Sequence, residues 1–213
     1  MIAVVLAGGK GSRLKEKTKA LPKPMVEVAG KPLLEHSLSW LKREGVEEAW
    51  ITLNYLPEVV QQHFGEGGGK YPRLHYYVEP QARGSAGALY DIRSSLNETV
   101  LVVYGDVYME IDLKRLHSFH KVKQAEATLV LHPNDHPHDS DLVETDAKDR
   151  ILNFHAKPRA HGQWLPNLVN AGLYLIEPEL CRHIPNEGTP DFGRDLFPTW
   201  VGQFKMYGYN TPE

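Results

Sequence analysis

Ile2-Ala-Val-Val-Leu-Ala7, followed at once by Gly8-Gly-Lys-Gly-Ser-Arg13, is the stretch that indicates the fold of this chain. The first segment is continuously apolar, with β-branched residues among its members. An unbroken apolar run, rather than an alternating one, is typical of a strand buried on both faces within a parallel sheet. The glycines that follow predict a tight loop where this strand ends.

Outward from this strand, helical and strand-like patterns alternate through the first half of the chain. Apolar residues at helical spacing predict a helix that Pro32 opens and Gly45 stops, and further helices at 57–64 and 85–96. Short apolar runs predict strands at 49–53, 74–78 and 99–104. This alternation predicts an α/β fold with a doubly wound, mostly parallel (Rossmann-like) sheet and right-handed crossovers.

The second half of the chain has a different pattern. Strand-like runs dominate it, and the remaining helical patterns are short. We therefore expect antiparallel additions to the same sheet, within one domain that covers residues 1–213. The predicted strands are 125–131, 141–144, 150–154 and 169–176, and the predicted helices are 178–182 and 191–201.

Composition narrows the class of protein. The chain has 213 residues, of which 41% are apolar and 24% are charged, as in ordinary globular domains. A net charge of −3 argues against nucleic acid or an anionic membrane as the main partner, because both favour a basic surplus. The single cysteine, Cys181, fits a reducing compartment, and no apolar run approaches the roughly 18 residues of a membrane span. We therefore expect a cytoplasmic protein.

Three segments directly follow predicted parallel strands, where open α/β sheets bind ligands: 8–13, 79–86 and 105–106. In the first, Gly8, Gly9 and Gly11 let the backbone approach a ligand, and exposed N–H groups there can hold an anion. The spacing matches neither the P-loop nor the dinucleotide-binding pattern, so by itself the loop also fits an ordinary tight turn.

Cations close to this loop strengthen the prediction of a phosphate site. Arg13 ends the loop, and Lys23 lies between Pro22 and Pro24. Since prolines fix φ on either side of the lysine, we expect a stiff, extended backbone that holds one ammonium group in place. A solvated basic surface is the interpretation we adopt for Lys15, Lys17 and Lys19, but not for Arg13 and Lys23.

Taken together, these motifs resemble the signature of sugar-1-phosphate nucleotidylyltransferases, most of all the mannose-1-phosphate and D-glycero-D-manno-heptose 1-phosphate guanylyltransferases. The resemblance covers nearly the whole chain. It implies that residues 1–110 form a nucleotide-binding half and residues 111–213 a sugar-phosphate-binding half. The motifs that carry it are Leu6-Ala-Gly-Gly-Lys-Gly-Ser-Arg13, Leu21-Pro-Lys-Pro-Met-Val-Glu-Val-Ala-Gly-Lys-Pro-Leu33, Gly84-Ser-Ala-Gly-Ala88, Tyr104-Gly-Asp106, Lys157-Pro158, Asn170-Ala-Gly-Leu-Tyr174 and Asp191-Phe-Gly-Arg-Asp-Leu-Phe-Pro198.

The resemblance implies that a sugar 1-phosphate oxygen attacks the α-phosphorus of a nucleoside triphosphate in line, and that pyrophosphate leaves. Arg13 is then expected to hold the β- and γ-phosphates, and Lys23 the transferring phosphoryl or the sugar phosphate. Asp106 is the expected Mg²⁺ ligand, because hard cations prefer carboxylate oxygens. Lys157 and Asn170 are expected to contact the sugar and its phosphate. The expected nucleotide contacts are Leu6, Ala7, Gly8, Gly9, Gly11, Ser12, Arg13, Glu79, Gly84 and Ser85.

Glu79 stands where the family presents a residue that recognises the base. A carboxylate accepts from both the N1–H and the 2-amino group of guanine, whereas uracil and thymine offer one N–H. This favours GTP as the nucleotide. A pyrimidine nucleotide with a hexose 1-phosphate stays an alternative, and so does an exposed carboxylate without a ligand role.

Two features depart from the family pattern. Ala156 replaces the glutamate that usually precedes the Lys-Pro pair, and the sequence ends at Glu213, before a second Mg²⁺-binding aspartate that the resemblance implies. We therefore expect a native continuation, with a fused phosphatase domain of the haloacid dehalogenase type as one hypothesis. A non-catalytic, nucleotide-sugar-binding regulatory subunit is the alternative from another class, and a homo-oligomer stays open.

Residues 132–141 are rich in histidine, as His132, His136 and His138 show. Their spacing would not place metal ligands on one helix face. We therefore expect a solvated loop near the sugar pocket, with a transition-metal site as the alternative.

Overall fold

The computed structural model describes residues 1–9, 21–158 and 165–211. In chain order the strands are β1 (Ile2–Leu6), β2 (Glu27–Val28), β3 (Lys31–Pro32), β4 (Glu48–Leu53), β5 (Arg73–Val78), β6 (Val100–Tyr104), β7 (Ala127–His132), β8 (Leu142–Thr145), β9 (Ile151–His155), β10 (Val169–Ile176) and β11 (Met206–Asn210). The α-helices are α1 (Leu33–Arg43), α2 (Pro57–Phe64), α3 (Gly87–Ile92), α4 (Leu113–Val122), α5 (Pro178–Cys181) and α6 (Phe197–Trp200).

Strand β1 lies inside the main sheet, as its unbroken apolar sequence predicts. It pairs in parallel with β4 on one side and β6 on the other, and Ala3 lies opposite Ala49 and Leu101. Within the described residues, the sheet runs in the order β11-β7-β10-β6-β1-β4-β5, and β8 and β9 branch from β10. Strand β10 is antiparallel to both β6 and β7. The predicted parallel sheet with antiparallel additions is confirmed, and a single sheet spans both predicted halves.

Helices cover both faces of this sheet. On one face α1, α2 and α4 pack on side chains such as Val5 and Ile51, and on the other α3 and α6 pack on side chains such as Val4 and Val102. Successive side chains of β1 therefore enter the two different cores, one on each face of the sheet. This explains why the side chains on both faces of the strand must be apolar. Among the described residues, no helix combines the length and the apolar character that a membrane crossing requires.

The structure adds one helix that was not predicted and corrects two of the predicted ones. Helix α4 was not predicted, because only its buried Leu113 and Leu116 mark an apolar face, among basic and histidine residues. The helix predicted at 85–96 begins two residues later, and a 3₁₀ turn over Arg93–Ser95 follows it. The helix predicted at 191–201 is a π-helical turn, Phe192–Leu196, followed by α6, whose second residue Pro198 has no N–H to donate.

Candidate active site

A cleft of about 360 Å³ opens at the carboxyl ends of the parallel strands β1, β4, β5 and β6. Parallel pairing brings these ends to the same edge of the sheet, so the residues that follow each strand converge there. The cleft is lined by Leu6, Gly8, Gly9, Lys23, Pro24, Thr52, Asn54, Glu79, Ala82, Gly84, Ser85, Ala88, Tyr104 and Asp106. Six predicted nucleotide contacts, Leu6, Gly8, Gly9, Glu79, Gly84 and Ser85, are thus brought together with Lys23 and Asp106.

The glycine loop is anchored at its first residues. Ala7 is buried, and its N–H donates to the carbonyl oxygen of Thr52 at 3.0 Å. The carbonyl of Leu6 accepts from the N–H of Gly105, also at 3.0 Å. These two bonds tie the end of β1 to the ends of both neighbouring strands. The predicted contacts Gly11, Ser12 and Arg13 lie outside the described residues.

Lys23 and Asp106, which both line the cleft, form an ion pair. The Lys23 Nζ donates to the Asp106 Oδ2, and the two side chains are 34% and 30% exposed. The backbone predicted to be extended at Lys23 is instead a 3₁₀ turn, Lys23–Met25, and only Pro22 is extended. The turn forms because the N–H of Met25 reaches the carbonyl of Pro22 at 2.8 Å while Pro24 and Met25 become buried.

Glu79 also lines the cleft and is buried, with 6% exposure. Its Oε1 accepts from the backbone N–H of Arg83 at 3.2 Å, and its carbonyl accepts from the Asn54 Nδ2 at 3.1 Å. Its Oε2 faces Gly8, where a Cβ would lie 3.0 Å away. Burial raises the pKa of the Glu79 carboxyl. The group is therefore a fixed, poorly solvated acceptor that faces the glycine loop.

Gly84 and Ser85 join the wall of the cleft to the segment before the π-helical turn. Gly84 has φ +70°, and a Cβ there would lie 2.4 Å from the carbonyl oxygen of Pro190. The Ser85 Oγ donates to the Asp191 Oδ2 at 2.8 Å and accepts from the N–H of Phe192 at 2.9 Å. The Ser85 hydroxyl therefore links this wall of the cleft to Asp191 and Phe192, and Ser85 also lines the cleft.

The predicted sugar-phosphate contacts lie in a neighbouring cluster. Among the described residues, the lining of the cleft does not include Lys157 or Asn170. The Asn170 Nδ2 donates to the Tyr174 hydroxyl at 3.0 Å, and the backbone N–H of Lys157 donates to the Asp141 Oδ1 at 3.0 Å. Tyr174 packs edge-on against Tyr104, which does line the cleft, with ring centroids 6.2 Å apart. These tyrosines separate the two groups of residues.

Sequence reasoning missed several residues of the site. Asn54 and Thr52 belong to the end of β4, and the rule that identified Glu79 and Asp106 at other strand ends would also have found them. Arg83 lies within the predicted segment 79–86, but its partners could not be predicted, and neither could those of Asp141, because these contacts join segments that are distant in the sequence.

The histidine-rich segment forms a 3₁₀ turn over Pro137–Asp139 that follows β7. Across residues 1–9, 21–158 and 165–211, no cluster of three or more His, Cys, Asp or Glu side chains suits a metal ion.

Comparison with known proteins places this geometry in context. A family model described as "Nucleotidyl transferase" matches residues 2–211. Mannose-1-phosphate guanylyltransferase of Mycobacterium tuberculosis is 35% identical over 210 residues, which cover 97% of this chain and 58% of that protein. The UTP–glucose-1-phosphate uridylyltransferase of Synechocystis sp. is 32% identical over 215 residues, which cover 94% of this chain and 55% of that protein. The chain thus spans little more than half the length of these curated relatives.

Among solved structures, HddC from Yersinia pseudotuberculosis complexed with GMP-PN matches with a TM-score of 0.81 and 22% identity. The match covers 99% of this chain and 90% of that chain. At this level of identity the likeness shows a shared fold.

Proposed function

Because the chain belongs to the nucleotidyl transferase family, we propose that it transfers a nucleotidyl group from a nucleoside triphosphate to a sugar 1-phosphate and releases pyrophosphate. The observation that carries this proposal is the cleft at the carboxyl ends of four parallel strands, which Lys23, Asp106 and Glu79 all line. Both relatives described above act, by name, on a sugar 1-phosphate, which supports the choice of acceptor.

In this reaction an oxygen of the sugar 1-phosphate forms a bond to the α-phosphorus, and the bond to the bridging oxygen of pyrophosphate breaks. Negative charge grows on the leaving oxygens, so the site needs positioned cations rather than a nucleophilic side chain. Lys23 fits this role, because it lines the cleft and its backbone is held in the 3₁₀ turn Lys23–Met25 that follows Pro22. We assign Arg13 to the β- and γ-phosphates and Gly11 and Ser12 to the triphosphate on the resemblance alone.

Mg²⁺ is the proposed cofactor, and Asp106 is its proposed protein ligand. A carboxylate is the ligand type that this hard cation prefers, and a bound Mg²⁺ would neutralise charge on the triphosphate. Asp106 forms an ion pair with Lys23, so the carboxylate that would hold Mg²⁺ and the ammonium group proposed to meet the phosphates lie side by side.

GTP is the proposed nucleotide because of Glu79. Guanine presents two neighbouring donors, N1–H and the 2-amino group, and a carboxylate accepts from both. The buried position strengthens these bonds, because water does not compete for the acceptor. The uridylyltransferase relative supports a second candidate, UTP with a hexose 1-phosphate, in which Glu79 would accept from one N–H.

A mannose- or heptose-type sugar is the proposed acceptor, and Lys157 and Asn170 are its proposed contacts. Their cluster adjoins the cleft through Tyr104 and Tyr174. Lys157 would meet the phosphate and Asn170 the hydroxyl groups.

The decisive experiment measures pyrophosphate release with each of GTP, ATP, CTP and UTP against a panel of sugar 1-phosphates, with Mg²⁺ or with EDTA. We expect turnover with GTP and a mannose- or heptose-type 1-phosphate, and its loss in EDTA. Nucleotide binding without turnover on any pair would instead support the regulatory subunit. The variant Lys23→Met, prepared in parallel, controls for contaminating activity.

A further inference from the structure

Arg83 has a set of contacts that the proposed reaction does not use. It lies in the segment after β5, and its side chain is 18% exposed. Its Nη1 donates to the Asp91 Oδ1 of helix α3 at 2.6 Å. Its Nη2 donates to the carbonyl oxygens of Asn186 at 2.6 Å and Pro185 at 3.3 Å. The guanidinium thus joins three segments of the chain, and an arginine suits this because its donors form a rigid fork.

The backbone of the same residue orients Glu79. The N–H of Arg83 donates to the Glu79 Oε1 at 3.2 Å, and the Oε2 is left facing Gly8 across the cleft. Anchoring the Arg83 side chain therefore restricts the position of the N–H that holds the carboxylate. A displaced Arg83 backbone would release Glu79 to rotate, although Glu79 itself would be unchanged.

Neighbouring residues are arranged to accept this arginine. The other oxygen of Asp91 accepts from the Tyr77 hydroxyl at 2.9 Å, so the acceptor is itself held by β5. Gly87 leaves room for the arginine, because a Cβ at that position would lie 2.4 Å from the Arg83 Cβ. The loop is therefore tied to α3 and to β5, the strand that leads into it.

Charge also links Arg83 to Glu79. Burial raises the pKa of the Glu79 carboxyl, and the nearby Asp91 carboxylate adds to the rise. Arg83 opposes both effects, through its N–H and through its charge. Removing the guanidinium would leave the Asp91 charge without its partner beside the base-binding carboxylate.

We infer that Arg83 is a positioning residue for recognition of the nucleotide base: it locks the loop after β5 so that the Glu79 carboxylate is held in one orientation for paired donors such as those of guanine. This inference rests on the base-reading role proposed for Glu79. Its consequence is selectivity: a fixed acceptor distinguishes a base with two donors from one with a single donor better than a mobile acceptor does.

The test compares equilibrium binding of GTP with that of ITP, which lacks the 2-amino group, in the absence of sugar phosphate so that turnover is not needed. The wild-type chain is expected to bind GTP about tenfold or more tightly than ITP, as for a hydrogen bond to a charged group. In Arg83→Met the ratio should fall to about threefold or less. Arg83→Lys keeps the positive charge but not the planar guanidinium with its several donors. Its GTP-to-ITP ratio should lie between those of the wild type and Arg83→Met. Arg182→Met removes an exposed arginine and should match the wild type.

An unchanged GTP-to-ITP ratio in Arg83→Met overturns the inference, and so does a wild-type chain that binds the two nucleotides equally. Thermal unfolding of each variant shows whether it is folded. If Arg83→Met does not fold, Arg83→Lys decides, because a wild-type ratio in that variant also overturns the inference. Pyrophosphate release is measured separately, so an altered binding ratio without turnover supports the role of Arg83 while it contradicts the proposed activity.

Discussion

Replacing Glu79 with glutamine should reduce the use of GTP much more than the use of UTP. The Oε1 position accepts from the N–H of Arg83, so the amide oxygen of glutamine is expected to stay there and the NH₂ to take the Oε2 position facing Gly8. That NH₂ would then meet a donor of guanine rather than accept from it. At least one charge-assisted hydrogen bond is lost, which is worth about 1.5–3 kcal/mol.

This free energy corresponds to a fall of about 10- to 150-fold in kcat/KM for GTP. Uracil presents one N–H, which the amide oxygen still accepts, so the fall with UTP should be about threefold. Initial rates of pyrophosphate release at several concentrations of each nucleotide give both values. Glu187→Gln, which neutralises an exposed glutamate, is the matched control. Equal losses for the two nucleotides, or no loss, would refute the base-reading argument.

Glu79→Gln should also change how the free energy of unfolding depends on pH. Because burial raises the pKa of Glu79 above its ordinary value of 4.5, the folded chain holds this proton more tightly than the unfolded chain does. The contribution of Glu79 to the free energy of unfolding therefore falls as the pH rises through and above that value. Urea denaturation should show Glu79→Gln gaining stability relative to wild type between about pH 4 and pH 7. A constant difference over this range would contradict the direction of the pKa shift.

Four further predictions address other parts of the chain. Lys23→Ala should lower kcat by about 100-fold or more at an unchanged melting temperature, since a preorganised cation is lost from a partly exposed position; near-wild-type turnover would rule out the assigned role. Asp106→Asn should raise the Mg²⁺ concentration needed for half-maximal pyrophosphate release, and an unaltered Mg²⁺ titration would contradict its role as ligand. Gly84→Ala should destabilise the fold in urea by more than the roughly 1–2 kcal/mol of a left-handed residue, because its Cβ would lie 2.4 Å from a carbonyl oxygen. Gly188→Ala, with a similar φ and open space around it, should show the backbone cost alone. Burial raises the pKa of Cys181 to about 12, so iodoacetamide at pH 8 should label it only after unfolding, and rapid native labelling would disprove its burial.

Local hydrophobic pattern was sufficient to predict the parallel strands of the first half of the chain. Strands that are buried on both faces carry unbroken apolar runs, and β1 and β4 could be placed within one residue of their observed bounds for this reason. Helix α4 could not be found in the same way, because few of its side chains are buried. Its local signal is the N-cap Asp112, which accepts from the N–H of Arg115 at 3.0 Å. Its place is set by packing against the sheet.

The residues of the candidate site could also be predicted in part from local pattern. Lys23, Glu79 and Asp106 follow predicted elements or motifs, and the structure brings all three into one cleft. Their distances and partners were beyond local reasoning. The Lys23–Asp106 ion pair joins residues 83 positions apart, and the Arg83–Asn186 hydrogen bond joins residues 103 positions apart.

The amino-acid sequence by itself determined the class of sheet and the strand ends at which ligand-binding residues stand, because burial on two faces and glycine-rich turns leave local signals. Only the tertiary structure decided that the loop which holds the Glu79 carboxylate is anchored through Arg83 to Asn186, 103 positions away in the sequence. The physical reason is that hydrogen bonds and charge interactions act over a few ångströms in space. Chain folding, rather than spacing along the sequence, selects which groups come that close.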